Sequence, residues 1–417
     1  SKTWINHQNG GLPYNNYINY ATDPVSDMSG NYGSVWIDFD DDGDLDLFIA
    51  HCRQGVNDPE DPRRWDRLFV NDGNNNYTDQ AEEFGLLNKS QSWSADFGDI
   101  DNDGDLDQVV TTHDGTIELF ENDGTGHFTD ITAGCGMEVS GFFLQSKFVD
   151  LDNDGFLDVM IAGGSGSAHV YMNDADNTFT EIANTFPSNK SMHSFATGDL
   201  NNDGFQDVFA NYGGGYIDSD ASYPDRLWLN NTNANHWFTV QLRGVQSNRD
   251  AIGARVTITG PWGTQIREVR AGESYGIVTS FACNFGIGNA TTIPTMTINW
   301  PSGLVETFTD LAVDQTIVVI EDLCISPTVA IATSGAPIIC GNGDSVTLTA
   351  DAGFNYTWSN AETTQSITVS QPGNYTVTVD DGTGCTGTAS IFVQQSPDET
   401  PSVAVVGETE FCEGGSV

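Results

Sequence analysis

Four short apolar runs punctuate the first half of the chain: LFIA (47–50), QVVTT (108–112), VMIAGG (159–164) and VFANYG (208–213). Each is too short for a helix and rich in β-formers, so each predicts a buried strand. A second phrase follows, as LFVNDGNNNYTD (68–79), LFENDGTGHFTD (119–130) and VYMNDADNTFTE (170–181), with LWLNNTNANHWFTV (227–240) as a weaker fourth version. Strand, Asn/Asp/Gly turn, strand is the pattern of a hairpin. Directly before each apolar run lies an acidic stretch: DFDDDGDLD (38–46), DIDNDGDLD (99–107), DLDNDGFLD (150–158) and DLNNDGFQD (199–207). Their starts are 61, 51 and 49 residues apart. One unit is therefore strand, acidic loop, strand and hairpin, a four-stranded blade of propeller-repeat length.

From Asn235 the texture changes. Residues 235–260 alternate in strand fashion, and the acidic loops stop. Residues 324–398 contain DSVTLTA (344–350), YTWSN (356–360), QSITVS (365–370) and NYTVTVDD (374–381), whose short strands and frequent turn signals predict a small β-sandwich. PTVAIATSGAPIICGNGDSV (327–346) is echoed by PSVAVVGETEFCEGGSV (401–417), so a second module is expected to begin at 399–417 and the chain to be part of something longer. The expected division is 1–234 propeller blades, 235–323 a second β domain, 324–398 a module and 399–417 the start of another. The fold class is all-β.

Composition sharpens this picture. The 417 residues hold 14 Lys+Arg against 59 Asp+Glu, a formal net charge of -45, and no Lys or Arg follows Arg270. Such a chain repels nucleic acid and anionic membrane surfaces. No run of 18 apolar residues occurs, so no membrane insertion is expected. The first 20 residues have neither the apolar core nor the cleavage site of a signal peptide. Seven cysteines without a C-x-x-C give little support for zinc or redox chemistry, and the odd count leaves a thiol over.

The acidic loops carry the clearest chemistry. Carboxylates crowded at alternate positions repel one another unless a cation sits among them, and a hard cation with oxygen ligands, calcium above all, fits. An EF-hand would need a bidentate Glu at position twelve, where these loops have Ile49, Val110, Ile161 and Ala210. Side-chain oxygens are expected from positions one, three, five and nine and a backbone carbonyl from position seven, with glycine at six for the turn. The four calcium sites are then Asp38, Asp40, Asp42, Asp44 and Asp46; Asp99, Asp101, Asp103, Asp105 and Asp107; Asp150, Asp152, Asp154, Phe156 and Asp158; and Asp199, Asn201, Asp203, Phe205 and Asp207. The fourth, one carboxylate short, should bind most weakly.

These repeats resemble the FG-GAP/VCBS repeats of integrin-α-type β-propellers over roughly residues 30–240, which implies loop-bound calcium between the strands of each blade. Family propellers usually close with seven blades, and four acidic motifs are present; blades missing upstream are the favoured explanation. Asn248-Arg249, Gly253-Ala254-Arg255, Phe285-Gly286-Ile287-Gly288 and Trp300-Pro301-Ser302-Gly303 are similar to the ASPIC/UnbV domain that often follows such repeats. Cys340, Trp358 and Cys385 stand in the order seen in Ig-like or PKD-like modules of large secreted bacterial surface proteins. That resemblance implies a Cys340–Cys385 disulfide, an extracellular or cell-surface location, and type IX-like export.

No catalytic constellation emerges. His51 and His113 fall at related positions after an acidic-loop strand and read as packing. Gly163-Gly164-Ser165-Gly166-Ser167 is no nucleophile elbow, and Gly213-Gly214-Gly215 lacks the Lys of a phosphate loop. The expected function is non-catalytic: a calcium-binding extracellular multidomain protein for cell-surface adhesion or for building an extracellular appendage, with a cell-surface protein, a glycan or copies of itself as partner. The alternative is a lectin-like propeller using Trp65, Tyr216 and Tyr223 in its longer loops. A polysaccharide-active enzyme comes third.

Overall fold

The computed structural model describes residues 3–4, 14–15, 30–214, 221–322, 324–326, 328–340, 343–353, 355–380 and 386–396. Among them every regular element is a strand except a three-residue 3-10 turn at Pro62–Arg64. The chain divides into two compact units, Ser1–Leu323 and Cys324–Val417.

Each acidic-loop unit folds as an antiparallel meander in chain order. Blade 1 comprises Gly30–Ile37, Asp46–Cys52, Arg67–Asn71 and Tyr77–Asp79. Blade 2 comprises Ser92–Gly98, Asp107–Thr112, Ile117–Asn122 and Phe128–Asp130. Blade 3 comprises Phe143–Val149, Asp158–Gly163, His169–Asn173 and Phe179–Glu181. Blade 4 has three strands, Ser191–Gly198, Asp207–Gly213 and Arg226–Trp228. The acidic loop always joins the first strand to the second. Every first strand also carries a register shift near its start, at Asn31/Ser34, Ser92/Ser94, Phe143/Gln145 and Met192/Ser194. Such bulges increase local twist.

The cores lie between blades. Phe48 and Leu68 of blade 1 pack with Phe97 and Phe120 of blade 2; Val109 and Leu119 pack with Phe148 and Tyr171 of blade 3; Met160 and Val170 pack with Phe195 and Val208 of blade 4. Polar ties lace the first strands together. Ser146 N–H donates to Ser94 Oγ (3.0 Å), Phe148 N–H to Asp96 (2.9 Å), and Gln145 exchanges hydrogen bonds with the backbone of Phe195. A third link recurs from blade to blade: an Asn at or just past the end of a third strand donates its amide to the carbonyl at position two of the preceding loop. The pairs are Asn122 to Phe39 (3.3 Å), Asn173 to Ile100 (2.8 Å) and Asn230 to Leu151 (2.7 Å).

Blade 4 ends this series with a bare face. Leu227 is 53% exposed, whereas its counterparts Leu68 and Leu119 are fully buried. Phe209 and Leu200 are likewise 49% and 60% exposed. The Leu200 carbonyl has no Asn donor among the described residues.

The hairpin expected at 227–240 does not form. Arg226–Trp228 pairs with Asp207–Gly213, but His236–Arg243 leaves the blade for another sheet. There it lies between Cys283–Gly288, antiparallel, and Gln315–Ile320, parallel. Phe238, Val240 and Leu242 are buried in this position, and both strand edges are satisfied, which a blade's outer edge could not provide. The other sheet of this domain runs Gly263–Glu268, Arg255–Gly260, Thr292–Asn299 and Val305–Ala312. Glu321 closes the domain: its buried carboxylate accepts from the N–H groups of Val245, Gln246 and Ser247 (2.6–2.7 Å) and from the hydroxyls of Ser247 and Ser302.

The second unit is a small sandwich. Ile331–Thr333, Val346–Ala350 and Ser366–Val369 form one sheet; Ile338–Ile339, Thr386–Gln395, Gly373–Asp380 and Asn355–Trp358 form the other. Leu348, Trp358, Ile367 and Val377 share its core. Cys340 carries a free, exposed thiol, and its expected partner Cys385 lies outside the described residues. Tyr216 and residues 399–417 lie outside them too.

Candidate metal centre and its cover

The acidic loops are folded by their own side chains. Numbering each from its first Asp, the N–H of position seven donates to the side chain of position five in all four, at 2.9–3.2 Å. The residue at position four, Asp41, Asn102, Asn153 or Asn202, is left-handed, with φ between 58° and 62°. Position nine locks the loop to its blade. Asp107 accepts from the N–H groups of Ile100 (3.0 Å) and Asn122 (2.9 Å), and Asp158 and Asp207 accept equivalent pairs. Asp46 keeps one of these two bonds, from Asn71 N–H (2.8 Å).

Carboxylate oxygens converge in three of the loops. Asp38, Asp40 and Asp42 form one group, Asp99, Asp101 and Asp107 a second, and Asp150, Asp152 and Asp158 a third, each with ligand atoms within 4.8 Å of one another. Asp44, Asp46, Asp103, Asp105 and Asp154 lie in the same loops but outside these tight groups. In the fourth loop the Asn201 amide donates to Asp203 (2.7 Å), so the substitution at position three is satisfied internally.

The donor set fits a cation. Both oxygens of fully buried Asp99 lack a hydrogen-bond partner, as do Asp40 Oδ1, Asp46 Oδ2 and Asp150 Oδ1. An orphaned buried carboxylate oxygen is costly unless something positive meets it. Burial accordingly pushes Asp38, Asp105 and Asp150 up to about 7 and Asp46 and Asp99 up to about 8, with neighbouring carboxylates adding to the rise.

All four loops meet the two-sheet domain. Arg255 pairs with Asp41 and donates to the Asp38 carbonyl (2.7 Å) while held by Glu268 (3.2 Å). Thr264 N–H donates to the Asn102 carbonyl (3.1 Å), and Gly288 N–H to the Asn153 carbonyl (2.9 Å). Gly286 packs on Asp150 and Asn153 so closely that no Cβ fits, and Trp237 closes over Gly204 in the same way. Arg267 is buried within electrostatic reach of Asp150 and Asp99. Beyond it a tongue runs along the first strands of the blades. Arg270 donates to the Phe97 carbonyl (2.9 Å), Glu273 pairs with Lys147 (2.8 Å), and Tyr275 joins the stacked pair Tyr32–Trp93. Sequence reasoning missed this cover, although the concentration of the last basic residues at Arg255, Arg267 and Arg270 was its signal.

The other candidates are occupied by packing. His51 is buried with Nδ1 3.0 Å from the Trp65 carbonyl, and His113 stacks on Trp93 at 3.8 Å, where burial lowers its pKa to about 4. Trp65 is half-buried and donates to the Pro59 carbonyl (2.9 Å), with the Lys89 ammonium 5.2 Å from its ring. Tyr223 lies beneath Lys190 at 3.2 Å.

Successive meanders with an acidic loop after each first strand define a β-propeller-like fold, here under a two-sheet cover. Residues 38–110, 107–160 and 150–210 match the FG-GAP-like repeat, and residues 244–324 match ASPIC and UnbV. The chain thus carries FG-GAP-like repeats followed by an ASPIC and UnbV domain. No curated protein matches it. Among solved structures it is similar to BBS1N in complex with ARL6DN (10% identity, 89% of this chain and 95% of that one, TM-score 0.27). It is also similar to the BP39L lectin from Burkholderia pseudomallei (14% identity, 72% and 95%, TM-score 0.20). Likenesses at these TM-scores carry no argument about fold or function.

Proposed function

We propose that this is a non-catalytic, calcium-stabilised protein of the extracellular space, serving adhesion to a cell surface or the construction of an appendage. The observation that carries the reading is the set of orphaned, buried carboxylate oxygens in loops built to the same plan. Calcium would be held by Asp38, Asp40 and Asp42, by Asp99, Asp101 and Asp107, and by Asp150, Asp152 and Asp158, with the position-seven carbonyls completing each shell. When bound it supplies positive charge that lets these buried carboxylates ionise together. The chain's own part is to pre-fold the loops and bury them under the two-sheet domain.

Because that domain covers the loops, the partner is to be sought elsewhere, on the blade edges or the outer sheets. The test is calcium titration of the metal-stripped chain by calorimetry, paired with binding of the chain to immobilised cells with and without calcium. Saturable calcium uptake with calcium-dependent retention on cells supports the reading. Absence of calcium uptake overturns it.

A further inference from the structure

We propose that position four of the first three acidic loops is a docking position for the two-sheet domain, so that metal binding and docking of the segment 263–288 strengthen each other. This rests on the calcium reading above. The two tasks fall to different atoms of one loop. In the first three loops positions one and three, joined by five or nine, turn carboxylates toward one another, whereas the outward contacts come from position four and from backbone. Arg255 grips the Asp41 carboxylate and the Asp38 carbonyl, Thr264 N–H takes the Asn102 carbonyl, and Gly288 N–H takes the Asn153 carbonyl. None of these atoms is among the expected metal ligands, so both partners can be bound at once.

What links them is backbone shape. The left-handed residue at position four and the glycine two residues later aim the position-four carbonyl outward while the carboxylates close inward. For a non-glycine residue that conformation is unfavourable and persists only where the surroundings hold it. A cation wrapped by the odd positions and a strand docked on position four select the same conformation. Linkage then requires each to raise the affinity of the other by one common factor.

The fit at the third loop shows how tight this coupling is. Gly286 stands directly on Asp150 and Asn153, and the Asn153 side chain continues to the Gly204 carbonyl of the next loop (3.1 Å). A loop that relaxes must therefore push out Gly286 and, with it, the strand Cys283–Gly288.

The experiment uses the full chain in two arms. Calorimetry gives calcium affinity, and amide hydrogen exchange reports on 263–288. Calcium should slow exchange across 263–288 by about tenfold or more relative to chelator. Asp41→Asn removes the charge that Arg255 grips, at a side chain that is 69% exposed and outside the expected ligand set. It should speed exchange around Arg255 and weaken calcium binding by about fivefold or more. Arg255→Met should do the same, and the Asp41 variant keeps the test usable if that change impairs folding. Calcium binding that leaves exchange in 263–288 unchanged, or an affinity indifferent to both variants, overturns the docking proposal while leaving the calcium reading intact. No calcium binding at all overturns both.

Discussion

Arg270 and Asp96 stand 174 positions apart in sequence and meet as an ion pair of 3.3 Å inside the first unit. Asp96 belongs to the first strand of blade 2, and its carboxylate also accepts the N–H of Phe148 in blade 3 (2.9 Å). One carboxylate thus joins two blades and the tongue. Removing it by Asp96→Ala strands a buried guanidinium, which costs about 3–5 kcal/mol. The double variant Asp96→Ala/Arg270→Met should recover a large part of that loss in equilibrium denaturation.

Chelation should act on one unit only. At tenfold excess over its dissociation constant a bound ion adds about 1.4 kcal/mol per site. Differential scanning calorimetry of the whole chain in chelator should show the transition of the first unit several degrees lower than in calcium. That of the second unit, which has no acidic loop of this kind, should stay in place.

The metal-free protein should have an inverted pH profile. Folded-state pKa values of about 7 for Asp38, Asp105 and Asp150 and about 8 for Asp46 and Asp99 lie above the ordinary value of 3.8. A raised carboxylate favours the folded state below its unfolded pKa, and that stability is lost as pH rises through the folded one. In chelator the melting temperature should fall between about pH 4 and pH 8. Excess calcium, which favours the ionised form, should remove or reverse the slope.

Equivalent leucines should differ in worth. Leu119→Ala opens a cavity between blades 2 and 3 and should cost about 2–5 kcal/mol. Leu227→Ala, at the same place on the bare face of blade 4, should change stability by no more than about 0.5 kcal/mol. Parallel urea titrations decide this. Equal losses would mean that the face is covered in solution.

Much of the first unit was legible in the sequence because its information is local. A short apolar strand, an Asp/Gly loop and an Asn/Gly turn announce themselves within about fifteen residues, and repetition multiplies the signal. The order of repeats and following domain was legible in the same way. What escaped is long-range. HWFTVQLR (236–243) has the look of a fourth blade strand, and only the competing strands at 283–288 and 315–320 decide otherwise. REVRAGESYG (267–276) is polar and carries no local signal of a docked segment. Its role as a tongue depends on Asp96, Lys147 and Trp93, none of which is near it in sequence. Position four of the loops was passed over because a ligand count gives it no task.

The Asn ladder between blades has a direction. Each of the first three blades offers one carbonyl forward to its neighbour's amide, and in blades 2 and 3 the residue bearing that carbonyl is tied by its own N–H to the Asp at position nine. Disturbance therefore travels like a row of tiles rather than through a common hub. Damage at one loop is felt first by the next blade in the chain and fades with each step away, the behaviour of a one-dimensional array of coupled units.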